Sequence, residues 1–237
     1  MARIAAQGPG KDHRIHYADL SRLAEMRRVG AEIAAAEPRI HVLINNAGGL
    51  FATREVTEDG LERTFATNHM AYFALTHLLL DRLKGSAPVR IVNTASDAHA
   101  REPLDFADLQ MEKGYRFRGA YGRSKLCNIL FTRELSRRLA GTGVTVNCLH
   151  PGFIATGLGQ RDNFFLGILV WIAMALRAKP LEKGAETIVY LASSPEVEGI
   201  SGQYFVDRRP ASPTRDAQDN DSARQLWAES DRLAGIG

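Results

Sequence analysis

Tyr121 and Lys125 stand four residues apart in AYGRSKLCN, a spacing that stacks two side chains on one face of a helix. A phenol titrates at about pH 10, roughly three units too high for proton transfer at neutral pH, and a neighbouring ammonium favours the phenolate. The pair therefore reads as a general acid and base. Tyr-x-x-x-Lys also arises by chance in many helices, so the assignment rests on what else lies in the chain.

Three further features bear on it. RIVNTAS ends a strand-like run with Ser96, twenty-five residues before Tyr121. In a parallel sheet the C-terminal ends of strands border the ligand crevice, so a hydroxyl there can hold a substrate oxygen beside the tyrosine; a lone serine can equally just end a strand. Leu61, Phe65, Asn68, Tyr72, Leu75 and Leu79 form an apolar helical stripe interrupted by a single amide. A buried amide needs partners, and Asn68 can find them in neighbouring backbone, in an ordered water linked to the lysine, or in both. Finally, LINNAGG and LHPGFIATG each follow a strand-like run, and small residues in that position let backbone approach a ligand closely.

The elements that would position these groups follow from the apolar pattern. Strand-like runs recur at RIHYA (14), IHVLI (40), VRIVN (89), VTVNCL (144) and QYFV (203), with helical stretches at 21 to 37, 57 to 84, 119 to 140 and 182 to 193. Short apolar strands alternating with long amphipathic helices predict an α/β fold, a doubly wound parallel sheet covered on both faces. Thr57 is expected to cap the second helix with Glu58 and Asp59 in its first turn, and Gly141 and Gly143 to end the third. One domain is expected over 1–206, followed by a polar tail over 207–237 with a short helix around SARQLWAESDRLAG that folds back over the domain.

Composition narrows the function classes. Thirty basic and 27 acidic side chains give a formal charge of +3 with no lysine-rich block, so nucleic-acid binding is not expected. Cys127 and Cys148 form no metal-spaced pair and fit buried packing in a reduced, cytoplasmic protein. The longest apolar run, FFLGILVWIAMAL at 164 to 176, is shorter than the roughly 20 residues a bilayer span needs. It reads as a buried helix, a flap or an interfacial segment, so membrane contact is peripheral at most.

In this order, these residues resemble the short-chain dehydrogenase/reductase family from Asp19 to about Phe205. The resemblance makes Asn45, Asn46, Ala47 and Gly48 its Asn-Asn-Ala-Gly strand end, Asn68, Ser96, Tyr121 and Lys125 its catalytic set, and Pro151 and Gly152 its Pro-Gly turn. Ile154 and Thr156 match positions that contact the nicotinamide carboxamide, and Asp19 matches the acidic residue that meets the adenine ring, with Leu20 beside it. The run from Asn68 to Thr76, the SDAH after Ser96, SKLCN and LHPG resemble the retinol dehydrogenase-like branch; there His99 and His150 read as structural. No metal is implied.

What the resemblance implies is reversible hydride transfer between NADP(H) or NAD(H) and a small-molecule carbonyl or alcohol. Tyr121 would move the proton, Lys125 would lower its pKa and hold the nicotinamide ribose, Ser96 would polarise the substrate oxygen and Asn68 would complete a relay. The 164 to 176 run falls where the family places a substrate-covering flap, which implies a lipophilic substrate. Helices 57 to 84 and 119 to 140 correspond to the family's dimer surface, so a homo-oligomer is expected. Family members carry a strand, a glycine-rich loop, a helix and a second strand before the segment matching RIHYADLS, whereas here MARIAAQGPGKDH precedes it. The expectation is therefore that this β-α-β unit is missing and that cofactor binding is weak. The alternative is a shortened, non-catalytic relative that keeps the fold for protein contacts.

Overall fold

The structure, a computed structural model, describes residues 13–152 and 181–236. Among them, five strands form one sheet in the order β1 (Val42–Asn45), β2 (Val89–Thr94), β3 (Val144–His150), β4 (Tyr204–Val206) and β5 (Arg209–Ala211). The first four run parallel, in registers that set Ile91 between Leu43 and Val146 and set Cys148 beside Tyr204; β5 returns antiparallel on β4.

Helices cover both faces because alternate residues of the central strands are apolar on both sides. Ile91 joins a large cluster with Met26 of α1 (Leu23–Ala36), Phe73 of α3 (Ala71–Leu78), Leu83 of α4 (Leu80–Lys84) and Phe131 of α5 (Phe117–Arg138). Its neighbour Val92 faces the other way, into a smaller cluster with Leu149, Phe205 and Leu191 of α6 (Leu181–Ser193). This is the expected doubly wound arrangement. The C-terminal helix α7 (Asn220–Ala234) is capped by Asp219, whose carboxylate accepts from Ser222 N, and ends at Gly235 in the left-handed region. Trp227 of α7 packs against Phe73 and Phe131, at ring-centre distances of 5.1 and 5.9 Å, so α7 covers part of the α3–α5 surface expected to meet a second subunit.

Three expectations are corrected. RIHYA is not a strand: Ile15 and Tyr17 are exposed, and the segment is tied to α1 by side chains, Arg14 donating to Ala36 O and Arg28 to Tyr17 O. Among the described residues no strand pairs with it, so its one β-branched residue, Ile15, has no ladder to join. Helix 57 to 84 begins later, at α2 (Arg63–Phe65). Residues 56 to 62 instead form a small hairpin-like turn with a Val56–Glu62 bridge, and the cap is Glu62, whose carboxylate accepts from Thr64 N and Phe65 N. Asp59 caps α1 from across the fold, accepting from Leu23 N at 2.7 Å. The third correction is β5, which lies in the stretch read as polar tail.

Candidate active site

β2 delivers its C-terminal end to α5. Beyond Thr94, Ser96 opens a 3-10 turn (Asp97–Ala100) that packs against the first turns of α5. Gly122 permits this approach, since a Cβ there would stand 2.7 Å from Ala98 O. The Ser96 hydroxyl accepts from Ala98 N and donates to Asp97 at 3.1 Å. His99 bridges Ser96 O, at 2.7 Å from Nδ1, and Thr214 N, which donates to Nε2 at 3.2 Å. A backbone N–H can only donate, so Nε2 is bare and Nδ1 carries the proton. His150 Nδ1 likewise accepts from Asp97 N. Both histidines hold backbone, as expected.

Lys125 lies one helical turn beyond Tyr121, fully buried, its Nζ 5.5 Å from the Tyr121 ring centre and 5.7 Å from that of Tyr72. It donates to Thr94 O at 3.1 Å, and among the described residues no carboxylate pairs with it. Burial therefore pushes the ammonium down to about 8. Burial pushes the Tyr121 phenol up, the Ser96 hydroxyl opposes that, and the Asp97 carboxylate adds to it. Ser96 therefore acts against the burial of the phenol.

Asn68 sits in a π-helical turn (Ala66–Met70) in which Ala71 N reaches back five residues to Ala66 O. Such turns re-aim backbone and concentrate at functional sites. The Asn68 side chain is fully engaged: Oδ1 accepts from Gly49 N at 2.7 Å, and Nδ2 donates to Gly49 O at 2.9 Å and to Ser124 Oγ at 3.0 Å. It clamps the loop after β1 onto α5, whose Ser124 hydroxyl is itself donated to Tyr121 O. The backbone partners expected for this amide are thus met by Gly49.

The loop after β1 meets the same centre. Asn46 accepts from the Thr94 hydroxyl at 2.9 Å, and Asn46, Ala47 and Gly48 are exposed. A Cβ at Gly48 would stand 3.0 Å from Asn68 Oδ1 and 3.6 Å from Lys125 Nζ. Pro151 and Gly152 follow β3 at the same sheet end, with Gly152 at φ 84°. Asp19 lies in the turn before α1, its carboxylate accepting from Ser21 N and Ser21 Oγ, which holds it below the usual range; Leu20 packs on the core. Ile154, Thr156, the 164 to 176 run and residues 1–12 lie outside the described residues.

These residues fit the nicotinamide end of a dinucleotide. A side chain at 48 would fill the space next to the lysine, and Lys125 gives one of its three N–H donors to Thr94 O, leaving capacity for hydroxyl acceptors. Sequence reading missed Gly122, Ser124 and Asn128. Asn128 alone carried a signal, lying three residues past Lys125 on the same helical face.

The comparisons with known proteins agree with this geometry. The family model for short chain dehydrogenase matches residues 2–164. The chain is 42% identical to human retinol dehydrogenase 13 over 97% of its own length and 72% of that protein. It is 46% identical to mouse retinol dehydrogenase 14 over 92% of its own length and 66% of that protein, and so spans about two thirds of the length of these relatives. A crystal structure of an uncharacterized protein from Mycobacterium paratuberculosis superposes with a TM-score of 0.75 at 30% identity, covering 99% of this chain and 80% of that one. A short chain dehydrogenase from Burkholderia cenocepacia in complex with NADP superposes with a TM-score of 0.65 at 26% identity, covering 86% and 78%. The chain belongs to the short-chain dehydrogenase family of NAD(P)-dependent oxidoreductases, on the retinol dehydrogenase-like side of it.

Proposed function

We propose that this chain interconverts a lipophilic carbonyl compound and its alcohol with NADP(H) or NAD(H), Tyr121 giving or taking the proton. The observation that carries the reading is the convergence of three side chains from two elements: the Ser96 hydroxyl at the end of β2, near enough to act on the Tyr121 phenol, and Lys125 buried 5.5 Å from the same ring. When bound, the dinucleotide supplies the hydride in reduction and takes it in oxidation. Ser96 Oγ holds the substrate oxygen beside the phenol, and Tyr121 delivers its proton to that oxygen as negative charge develops there. Lys125 holds the nicotinamide ribose and places a positive charge near the phenolate that remains. The names of the relatives, retinol dehydrogenases 13 and 14, support a lipophilic substrate.

A purely structural role leaves Lys125 unexplained. Burying an ammonium without a carboxylate costs stability, and a scaffold gains nothing in return. The test is oxidation of NADPH and NADH with retinal and with a short polar aldehyde such as glyceraldehyde. Turnover of retinal well above glyceraldehyde is expected; no turnover of either aldehyde with either nucleotide overturns the reading.

A further inference from the structure

Asn128 joins the π turn to the carbonyl on which the lysine rests. It is fully buried on α5, and its Nδ2 donates to Asn68 O at 3.0 Å in the π turn and to Thr94 O at 3.2 Å at the end of β2. Thr94 O is also the acceptor of Lys125 Nζ, at 3.1 Å. One carbonyl thus receives both the amide and the ammonium, three residues apart on the helix. The Asn128 backbone is fixed in turn: its carbonyl accepts from Thr132 Oγ1 at 2.8 Å, and Thr132 receives Asn93 Nδ2, which belongs to an amide chain leading to Asn45 on β1. A buried polar chain of this kind holds its members in one arrangement because each lost bond leaves a desolvated group behind.

We propose that Asn128 is a positioning residue for Lys125, holding the Thr94 carbonyl and the π turn in the arrangement that seats the ammonium beside Tyr121. The proposal deepens the oxidoreductase reading and rests on it for its consequence, though not for its geometry. A simple tether between α5 and the π turn needs only the bond to Asn68 O. The second bond, to the acceptor that the lysine itself uses, ties the amide to the ammonium.

The experiment follows the Lys125 side chain by NMR titration in the cofactor-free protein, comparing wild type with Asn128→Leu, which keeps the volume and removes both donors. Asn128→Ser is a second variant, too short to span both carbonyls. Thr132→Val is the control, since it breaks the same polar chain without touching Thr94 O. Lys125 is expected to titrate lower by about half a pH unit or more in both Asn128 variants, since the ammonium loses its seat, and at its wild-type value in Thr132→Val. With retinal and NADPH, kcat of the Asn128 variants is expected to fall about tenfold with KM little changed. A Lys125 titration unchanged in a folded Asn128 variant, or shifted equally by Thr132→Val, overturns the proposal. Failure of the oxidoreductase reading would appear separately, as a wild type without turnover whose Lys125 titration still responds to Asn128.

Discussion

The Nε2 of His69 lies 2.8 Å from the hydroxyl of Ser230, 161 residues further along the chain, and so links the π turn that carries Asn68 to the C-terminal helix. The ring is fully buried among Phe65, Phe73 and Phe131. Burial pushes its pKa down from 6.5 to about 4, opposed in part by the amide of Asn128.

An imidazole kept neutral in the folded state makes stability depend on pH in a fixed direction. Between pH 6.5 and 4 the unfolded chain binds the proton and the folded one does not, so stability falls as pH falls through that window. The full effect is about 3 kcal/mol. Urea unfolding at pH 7, 5.5 and 4.5 should show a steeper loss in wild type than in His69→Gln; parallel losses would mean the ring is protonated without cost.

Lys125 acts in the opposite range. Its folded pKa of about 8 lies below the ordinary 10.5, so its burial penalty is fully present below pH 8 and is relieved as pH rises from 8 to 10.5. Lys125→Met should therefore be more stable than wild type at pH 7, by as much as about 3 kcal/mol, while losing activity. The difference should shrink by pH 10, measured by denaturant unfolding at the two pH values.

Tyr121→Phe deletes one oxygen and no packing volume. Its kcat should fall to less than about a tenth of wild type, a loss above ~1.4 kcal/mol, with an unchanged melting temperature. A variant that keeps more than this in steady-state assays would remove Tyr121 from the proton transfer.

Gly48→Ala puts a methyl 3.0 Å from Asn68 Oδ1 and 3.6 Å from Lys125 Nζ. Because residue 48 is exposed, stability should change by less than about 1 kcal/mol. Fluorescence titration should nevertheless show NADPH binding weakened several-fold; unchanged affinity would place the nicotinamide end elsewhere.

The residues that do chemistry were legible because their types are unusual where they stand: an amide in an apolar stripe, a lysine one turn from a tyrosine. Their partners were mostly not: beyond the three-residue step from Lys125 to Asn128, what Asn128 and Gly122 meet is backbone of other elements, and what Ser124 receives is a side chain from the π turn, which no local spacing encodes. The same limit explains RIHYA. Periodicity reports which residues suit a strand, and only the fold supplies a neighbour to pair with. The β4–β5 hairpin turns on Asp207 and Arg208, both at positive φ (47° and 63°), where a two-residue turn ordinarily advertises itself with Asn-Gly. Thr57 gave way to Glu62 because a carboxylate five residues on could reach two N–H groups at once.

The π turn at Ala66–Met70 fixes something other than residue identity. A helix accommodates a residue in roughly 100° of rotation, and the π turn absorbs one extra residue by closing its bond from Ala71 N to Ala66 O. Deleting one residue between Ala66 and Met70 would close the turn into ordinary α-helix with the flanking turns still in register, so Glu62 and Phe65 before it and Phe73 after it would keep their places. The outward step of the turn itself would be lost, and with it the reach of Asn68 to the Gly49 backbone that it clamps. The extra residue serves the amide, while the packing of the helix is indifferent to it.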